Sequence, residues 1–127
     1  MSTRRVILGL LVSAPMLFAT GSLAADYTPA AFEAAQKAGK PILVHITAPW
    51  CTTCAAQKPI LAKLEADPKF KDLQVFDIDF DSRKDVVKQF GATMQSTLIT
   101  FKGTKETGRS AGETKPEAIL ALLEKVI

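Results

Sequence analysis

The chain has 127 residues, with 16 lysines and arginines against 13 aspartates and glutamates, which gives a formal net charge of +3. Arg4 and Arg5 belong to the leader predicted below. Without them the balance is 14 against 13, or +1, and no basic stripe is interleaved with aromatic residues, so a nucleic-acid partner is not expected. Two cysteines and one histidine are too few for a closed zinc site of four Cys and His ligands within one chain.

Residues 1–25 are predicted to be a cleaved signal peptide. Arg4 and Arg5 supply the positive start, residues 6–19 are mostly apolar, and cleavage is expected after Ala24 or Ala25. The apolar run is short, so no stable membrane anchor is expected after cleavage. Residues 26–127 then form one domain of about 100 residues, enough for its own core. The leader predicts a periplasmic location, reached by the general secretory route or, since it also resembles a twin-arginine signal, by that route.

The mature chain alternates between helical and extended patterns. Thr28 followed by Pro29 is typical of a helix start, and this helix is predicted to end near residue 38. Residues 42–47 are largely apolar and β-branched, which predicts a buried strand. The helix that follows has three apolar residues spaced for one face: Ile60, Leu61 and Leu64.

The second half predicts more strands than helices. Residues 73–80 and 97–101 are predicted strands, and residues 105–109 a polar edge strand. Two pairs match the capping-box pattern that begins a helix: Ser82 with Asp85, and Thr114 with Glu117. The order of the elements predicts an α/β fold with a mixed sheet and helices on both faces.

Cys51 and Cys54 form a C-x-x-C pair between the first predicted strand and the helix after it. Unpaired N–H groups and the dipole at a helix N-terminus favour a thiolate, so an exposed Cys51 is predicted to be the nucleophile. Cys54 lies about one turn further on, close enough to form a disulfide and resolve mixed disulfides. A purely structural disulfide would close so short a loop that it would add little stability, which favours a redox-active pair.

Residues 48–54, Ala-Pro-Trp-Cys-Thr-Thr-Cys, with Pro59 eight residues beyond Cys51, resemble the active site of the thioredoxin family. The resemblance continues at Phe90-Gly91, at the strand of residues 97–101 and at Gly112. It implies a thioredoxin-like three-layer fold, with a central mixed β-sheet flanked by helices and the first strand short or missing. It also implies protein thiol–disulfide oxidoreductase activity without an organic cofactor.

Two positions depart from the family's pattern. The family's buried acid, six residues before the first cysteine, is replaced by His45, and the place of its lysine partner is taken by Asp77. His45 would accept the proton of Cys54 while Asp77 orients its ring; the alternative is a core histidine without a catalytic part. Ser96 stands where the family has a cis-proline, and a trans peptide is expected there because a cis bond before serine costs about 3 kcal/mol.

The resemblance also assigns roles around the cysteines. Trp50 would offer a flat surface to the substrate or else pack in the core, and Pro59 would kink the active-site helix. The predicted substrate-binding residues are Gln95, Ser96, Thr97 and Gly112.

These features together predict a monomeric periplasmic thiol–disulfide oxidoreductase that acts as a reductase or electron relay. Its partners would be protein thiols and disulfides and an upstream redox protein, in an oxidising compartment. Two alternatives stay open: a protein that handles Cu(I) through Cys51 and Cys54, with room left by Ser96, and a binding module whose pair stays oxidised.

Overall fold

The computed structural model describes residues 24–127, so residues 1–23 of the predicted signal peptide lie outside the described part of the chain. The elements are β1 (Ala25–Asp26), α1 (Pro29–Lys37), β2 (Pro41–Thr47), α2 (Thr52–Glu65), a 3-10 turn (Pro68–Phe70), β3 (Gln74–Asp79), α3 (Lys84–Gln89), β4 (Thr97–Lys102), β5 (Lys105–Ala111) and α4 (Pro116–Glu124). Within residues 24–127, no helix combines the length and the apolar character needed to cross a membrane.

The five strands form one mixed sheet in the order β1-β3-β2-β4-β5. Strands β1 and β2 pair with β3 in parallel, whereas β4 pairs antiparallel with both β2 and β5. The first strand has only two residues, as expected for a short or missing first strand. The sheet and its flanking helices confirm the predicted α/β fold.

Side chains of β2 alternate between the two faces of the sheet, as the pleat requires. Ile42, Val44 and Ile46 belong to a core cluster that includes residues of α1 and α3, such as Phe32 and Val86. On the opposite face, Leu43 belongs to a second cluster with buried side chains of α2 and α4: Leu61, Ile119, Leu122 and Leu123. Burying each such side chain contributes about 1.5–3 kcal/mol, which holds the helices against the sheet.

The predicted start of α1 is confirmed, because Thr28 is its N-cap and its hydroxyl accepts a hydrogen bond from the Ala31 N–H at 3.2 Å. Both predicted capping boxes are wrong by one residue. Helix α3 is capped by Arg83 rather than Ser82, and α4 by Lys115 rather than Thr114, neither through its side chain.

Acidic side chains upstream explain the shift of both helix starts. The hydroxyl and the N–H of Ser82 donate to Asp79 Oδ1 at 3.0 and 2.8 Å, and the N–H groups of Thr114 and Lys115 donate to Glu113 Oε1 at 3.1 and 2.9 Å. Each carboxylate turns the chain locally before the helix begins, which is the competition that short polar side chains offer to helical hydrogen bonds.

Candidate active site

Cys51 and Cys54 form a disulfide at the N-terminus of α2, with their Cα atoms 5.2 Å apart. Cys51 is the N-cap of the helix, and its Sγ accepts a hydrogen bond from the Cys54 N–H at 3.0 Å. After reduction this sulfur would keep the same donor and the positive end of the helix dipole, both of which favour a thiolate. The geometry therefore suits Cys51 to the nucleophilic role that the sequence predicts.

Cys51 is more buried than expected. In the disulfide form it is 4% exposed and Cys54 is completely buried. Ala48 and the partly buried Phe80 pack against the two cysteines and cover them. Of the two cysteines, only Cys51 has any exposed surface.

Trp50 lies on the surface beside Cys51, with 58% of its side chain exposed, so the core-packing alternative for it is wrong. Its indole N–H donates to Asp81 Oδ2 at 2.5 Å, in the loop after β3. Asp81 was not predicted from the sequence, since nothing in the local pattern connects a loop residue to a side chain 31 positions earlier. The bond holds an exposed aromatic ring next to the disulfide.

His45 and Asp77 are neighbours across the β2–β3 pair, as predicted from their places at the positions of the family's buried acid and its lysine partner. Nδ1 of His45 lies 3.7 Å from Asp77 Oδ1. Burial lowers the pKa of His45 below its ordinary value, and burial raises the pKa of Asp77 above its own. Both directions disfavour the ion pair relative to a neutral imidazole beside a protonated carboxyl.

Gln57 was not predicted, although it is completely buried and touches three other parts of the site. Its Oε1 lies 3.0 Å from His45 Nε2, and its Nε2 donates to the carbonyl oxygens of Ser96 at 3.1 Å and Glu113 at 2.8 Å. A signal for it was available. Cys54, Gln57 and Leu61 follow the three-and-four spacing of one helix face, so Gln57 is a polar residue on the buried face of α2.

The predicted contact between His45 and Cys54 is absent from the hydrogen bonds of the described residues. Both ring nitrogens of His45 face other groups, Gln57 and Asp77. The Cys54 Sγ instead lies 4.0 Å from the carbonyl oxygen of Ile46. The role of His45 as the base for Cys54 stays a prediction, and the geometry supplies no direct proton path for it.

Ser96 adopts a left-handed backbone conformation, with φ of +59°, and its side chain is buried. Its peptide bond is trans, like every other in residues 24–127, as the sequence predicts. Its hydroxyl donates to the Gln95 carbonyl at 2.5 Å, and its own carbonyl accepts from the Gly112 N–H at 3.0 Å. Three of the four predicted substrate-binding residues therefore meet at this turn.

Thr97 and Pro59 lie outside the Ser96 turn, in β4 and α2. Thr97 is buried, pairs with Ile46 and Ala111 in the sheet, and donates its hydroxyl to the Met94 carbonyl at 2.6 Å. Pro59 is exposed in the middle of α2, where it leaves the Ala55 carbonyl without its usual helical donor.

Residues 24–127 contain no cluster of three or more His, Cys, Asp or Glu side chains placed to hold a metal ion. The Ser96 hydroxyl is engaged by the Gln95 carbonyl rather than turned to the sulfurs as a ligand. No observation therefore favours the Cu(I)-handling alternative.

A family model and individual proteins of known sequence both match this chain, and all of them are thioredoxins. A family model described as Thioredoxin matches residues 24–125. The thioredoxin of Chlamydia muridarum is 34% identical over 84 residues, covering 66% of this chain and 80% of that protein. The thioredoxin of Alicyclobacillus acidocaldarius is 31% identical over 100 residues, covering 79% and 94%.

Solved structures agree with the sequence relatives. The crystal structure of Trxlp from Edwardsiella tarda EIB202 matches with a TM-score of 0.75 and 43% identity, covering 77% of this chain and 95% of that one. The range matched by the family model includes all five strands and both cysteines.

Proposed function

The chain belongs to the thioredoxin family and is a thiol–disulfide oxidoreductase, and from that premise we propose that it acts in the periplasm as a reductase or electron relay for protein disulfides. The observation that carries the proposal is the Cys51–Cys54 disulfide at the N-terminus of α2, where Cys51 Sγ already accepts a backbone N–H. The periplasmic location rests on the predicted leader at residues 1–25.

In the proposed reaction the Cys51 thiolate attacks a partner disulfide. A bond forms between Cys51 and one partner sulfur, the partner's own S–S bond breaks, and its second sulfur leaves as a thiolate. Cys54 then loses its proton and attacks the Cys51 Sγ, which closes the protein's disulfide and releases the first partner sulfur. Two electrons pass to the partner, and an upstream dithiol supplies two electrons to reopen the Cys51–Cys54 bond.

The substrate would dock on the surface around Trp50 and the Ser96 turn. Trp50 is exposed and fixed by Asp81, and Met94, near the turn, is 42% exposed. Gln95, Ser96, Thr97 and Gly112 form the turn and the strand end beside it, so an extended partner segment would meet backbone groups there rather than a deep pocket.

Two matched substitutions test the assignment of the cysteines. Cys54→Ser should trap partners as mixed disulfides on Cys51, whereas Cys51→Ser should trap none and abolish disulfide exchange. The variant lacking both cysteines is the control for noncovalent capture. Trapping through Cys54 in the Cys51→Ser variant, at a level equal to the reverse case, would overturn the assignment.

The direction of electron flow is tested by the reduction potential of the pair. Equilibration with thiol buffers should give a value nearer to about −270 mV, as for a reductant, than to about −120 mV, as for a strong oxidant. A value at the oxidising end would refute the reductase or relay role and leave the oxidoreductase activity standing.

The location is tested on the full chain expressed from its own start. Mass spectrometry of the periplasmic fraction should find a protein beginning at Ala25 or Asp26. An intact leader in the membrane or cytoplasmic fraction would overturn the proposed location without bearing on the thiol chemistry.

A further inference from the structure

The side-chain amide of Gln57 has only one orientation that satisfies its surroundings. Its nitrogen end faces two backbone carbonyl oxygens, those of Ser96 and Glu113, at 3.1 and 2.8 Å. Carbonyl oxygens accept and do not donate, so the NH₂ group must lie there and Oε1 must face His45. Reversing the amide would place three oxygens together in a fully buried position.

This orientation determines which nitrogen of His45 carries hydrogen. Oε1 of Gln57 lies 3.0 Å from Nε2 of His45 and accepts only, so Nε2 must be the donor. In the neutral ring Nδ1 is then without hydrogen, and Nδ1 is the atom that lies 3.7 Å from Asp77 Oδ1. Any proton that the ring gains or loses therefore does so at the end facing Asp77.

We propose that Gln57 is a positioning residue for the thiol–disulfide reaction, which keeps hydrogen on Nε2 of His45 and confines the proton shared by the His45–Asp77 pair to the space between Nδ1 and Asp77. This inference rests on the proposed function. It goes beyond that function by giving the histidine one defined tautomer and by naming the side chain that enforces it.

The Asp77 end of the pair is also the end that meets solvent. The side chain of His45 is 3% exposed, whereas that of Asp77 is 34% exposed. Both line a cavity of about 290 Å³ that Lys58 and Glu65 of α2 also line. The pair therefore exchanges its proton with solvent through Asp77, and the Nε2 side stays closed by Gln57.

Two charged groups outside the pair act on it, Lys58 of α2 and Asp26 of β1. Asp77 raises the pKa of His45 and Lys58 lowers it, each by less than burial does. Asp26 of β1 raises the pKa of Asp77, and Asp77 in turn raises that of Glu65.

The pair is connected to Cys54 through α2, because Gln57, which contacts His45, follows Cys54 by three residues on the buried face of that helix. The Cys54 Sγ is 4.0 Å from the carbonyl oxygen of Ile46, the residue next to His45. A positive His45 would stabilise the Cys54 thiolate by Coulomb attraction in a buried site, and a neutral one would not. The pH at which the pair gains its proton should therefore appear in the rate at which Cys54 resolves a mixed disulfide.

The chain has one histidine, so ¹⁵N labelling of histidine gives an NMR spectrum of His45 alone. In the wild-type protein at neutral pH, the shifts should show a single neutral tautomer with hydrogen on Nε2 and none on Nδ1. A neutral ring with hydrogen on Nδ1 would overturn the proposal at once.

Two variants separate the tautomer from the packing. Gln57→Glu keeps an acceptor opposite Nε2 but adds a negative charge, so His45 should titrate at higher pH, and so should the rate of resolution by Cys54. Gln57→Met removes the acceptor at similar volume, so the single-tautomer signature should be lost. Gln89→Met, on the exposed side of α3, is the matched control and should change neither the shifts nor the pH profile.

Both variants remove the donor of the Ser96 and Glu113 carbonyls and can weaken the fold, which is why the tautomer in the wild-type protein is the first test of the proposal. A folded Gln57→Met protein with unchanged His45 shifts, or a Gln57→Glu protein with an unchanged pH profile, would refute the positioning role. Failure of disulfide exchange in wild type, with the Nε2 tautomer present, would instead refute the proposed function.

Discussion

The two faces of strand β2 differ in what they carry. Towards α1 and α3 the strand presents Ile42, Val44 and Ile46, all without exposed surface. Towards α2 it presents His45, and the chain continues from Thr47 to Cys51 at the N-terminus of that helix. One face of the strand is therefore wholly apolar, whereas the other carries Leu43 in the second apolar cluster and His45 in the polar site, because alternate side chains point to opposite faces.

The apolar side is built around an aromatic cluster of Tyr27, Phe32, Phe76, Phe90 and Phe101. Phe32 lies at its centre, with ring centroids 5.3 to 5.8 Å from the other four rings, mostly in edge-to-face arrangement. On the other side, the buried polar groups of His45 and Gln57 are held by hydrogen bonds. Apolar clusters lie on both faces, since Leu43 packs with buried side chains of α2 and α4, but only the second face also carries the buried polar groups of the site.

The largest effect should follow from removing the centre of the aromatic cluster. Phe32→Ala should lower the free energy of unfolding by about 3–5 kcal/mol, because it deletes a buried ring and leaves a cavity. Urea denaturation measures this, and Phe32→Leu, which fills most of the space, should cost much less. The rate of disulfide exchange per folded molecule should not change; a loss of it would show that the two faces are not separate.

A smaller effect is expected at the turn that carries Ser96. Proline fixes φ near −65°, whereas Ser96 has φ of +59°, so Ser96→Pro must rebuild the turn. It should lose the bonds that the Ser96 carbonyl accepts from Gly112 and Gln57, at a cost of about 2 kcal/mol or more.

Ser96→Gly is the control for this substitution, since glycine accepts a positive φ without strain. It loses only the hydroxyl bond to the Gln95 carbonyl and should be close to wild type in stability. A Ser96→Pro protein as stable as Ser96→Gly in denaturant titration would mean that the turn accepts a conformation far from the one described.

The two faces were not equally predictable from the sequence. Periodicity identified the strands and helices because burial selects for it, and Thr28 with Pro29 placed the first helix correctly. The capping boxes at Ser82 and Thr114 were misplaced because acidic residues upstream, Asp79 and Glu113, accept the N–H groups of Ser82 and Thr114.

Only part of the polar site could be predicted from the sequence. His45 and Asp77 could be paired by counting along two strands, since parallel neighbours share a register. The bonds from Gln57 to Ser96 and Glu113 span 39 and 56 residues, and no local pattern encodes such separations. The positive φ of Ser96 was likewise invisible, because serine rarely adopts it and only the tertiary contacts enforce it.

The pair on the polar face should also give stability a dependence on pH. Burial raises the pKa of Asp77 in the folded state, so its contribution is present at low pH and is lost as pH rises through that raised value. In Asp77→Asn this loss disappears. His45 adds to this difference between variant and wild type. Asp77 raises the pKa of His45, so in Asp77→Asn the pKa of the ring falls further and the variant loses more stability in acid than wild type does.

The stability of Asp77→Asn relative to wild type should therefore be higher at about pH 8 than at about pH 4. Thermal or urea unfolding at both values measures the difference. Asp72→Asn, on the exposed turn before β3, is the matched control for removal of a carboxylate. A difference that is constant, or that falls as pH rises, would contradict the assigned directions of the two pKa shifts.

The smallest effect concerns the surface next to the disulfide, where Asp81 holds Trp50. Both residues are exposed, so Asp81→Leu should change the free energy of unfolding by less than about 1 kcal/mol. The indole should nevertheless become more mobile, because its N–H loses the carboxylate that fixes it. Trp50 is the only tryptophan, so its fluorescence anisotropy reports this motion directly and should fall in the variant. Asp85→Leu, on the exposed side of α3, should leave the anisotropy unchanged. If Asp81→Leu also slows capture of partners by the Cys54→Ser protein, the fixed ring takes part in docking; equal capture rates would leave Trp50 as an exposed side chain without that role.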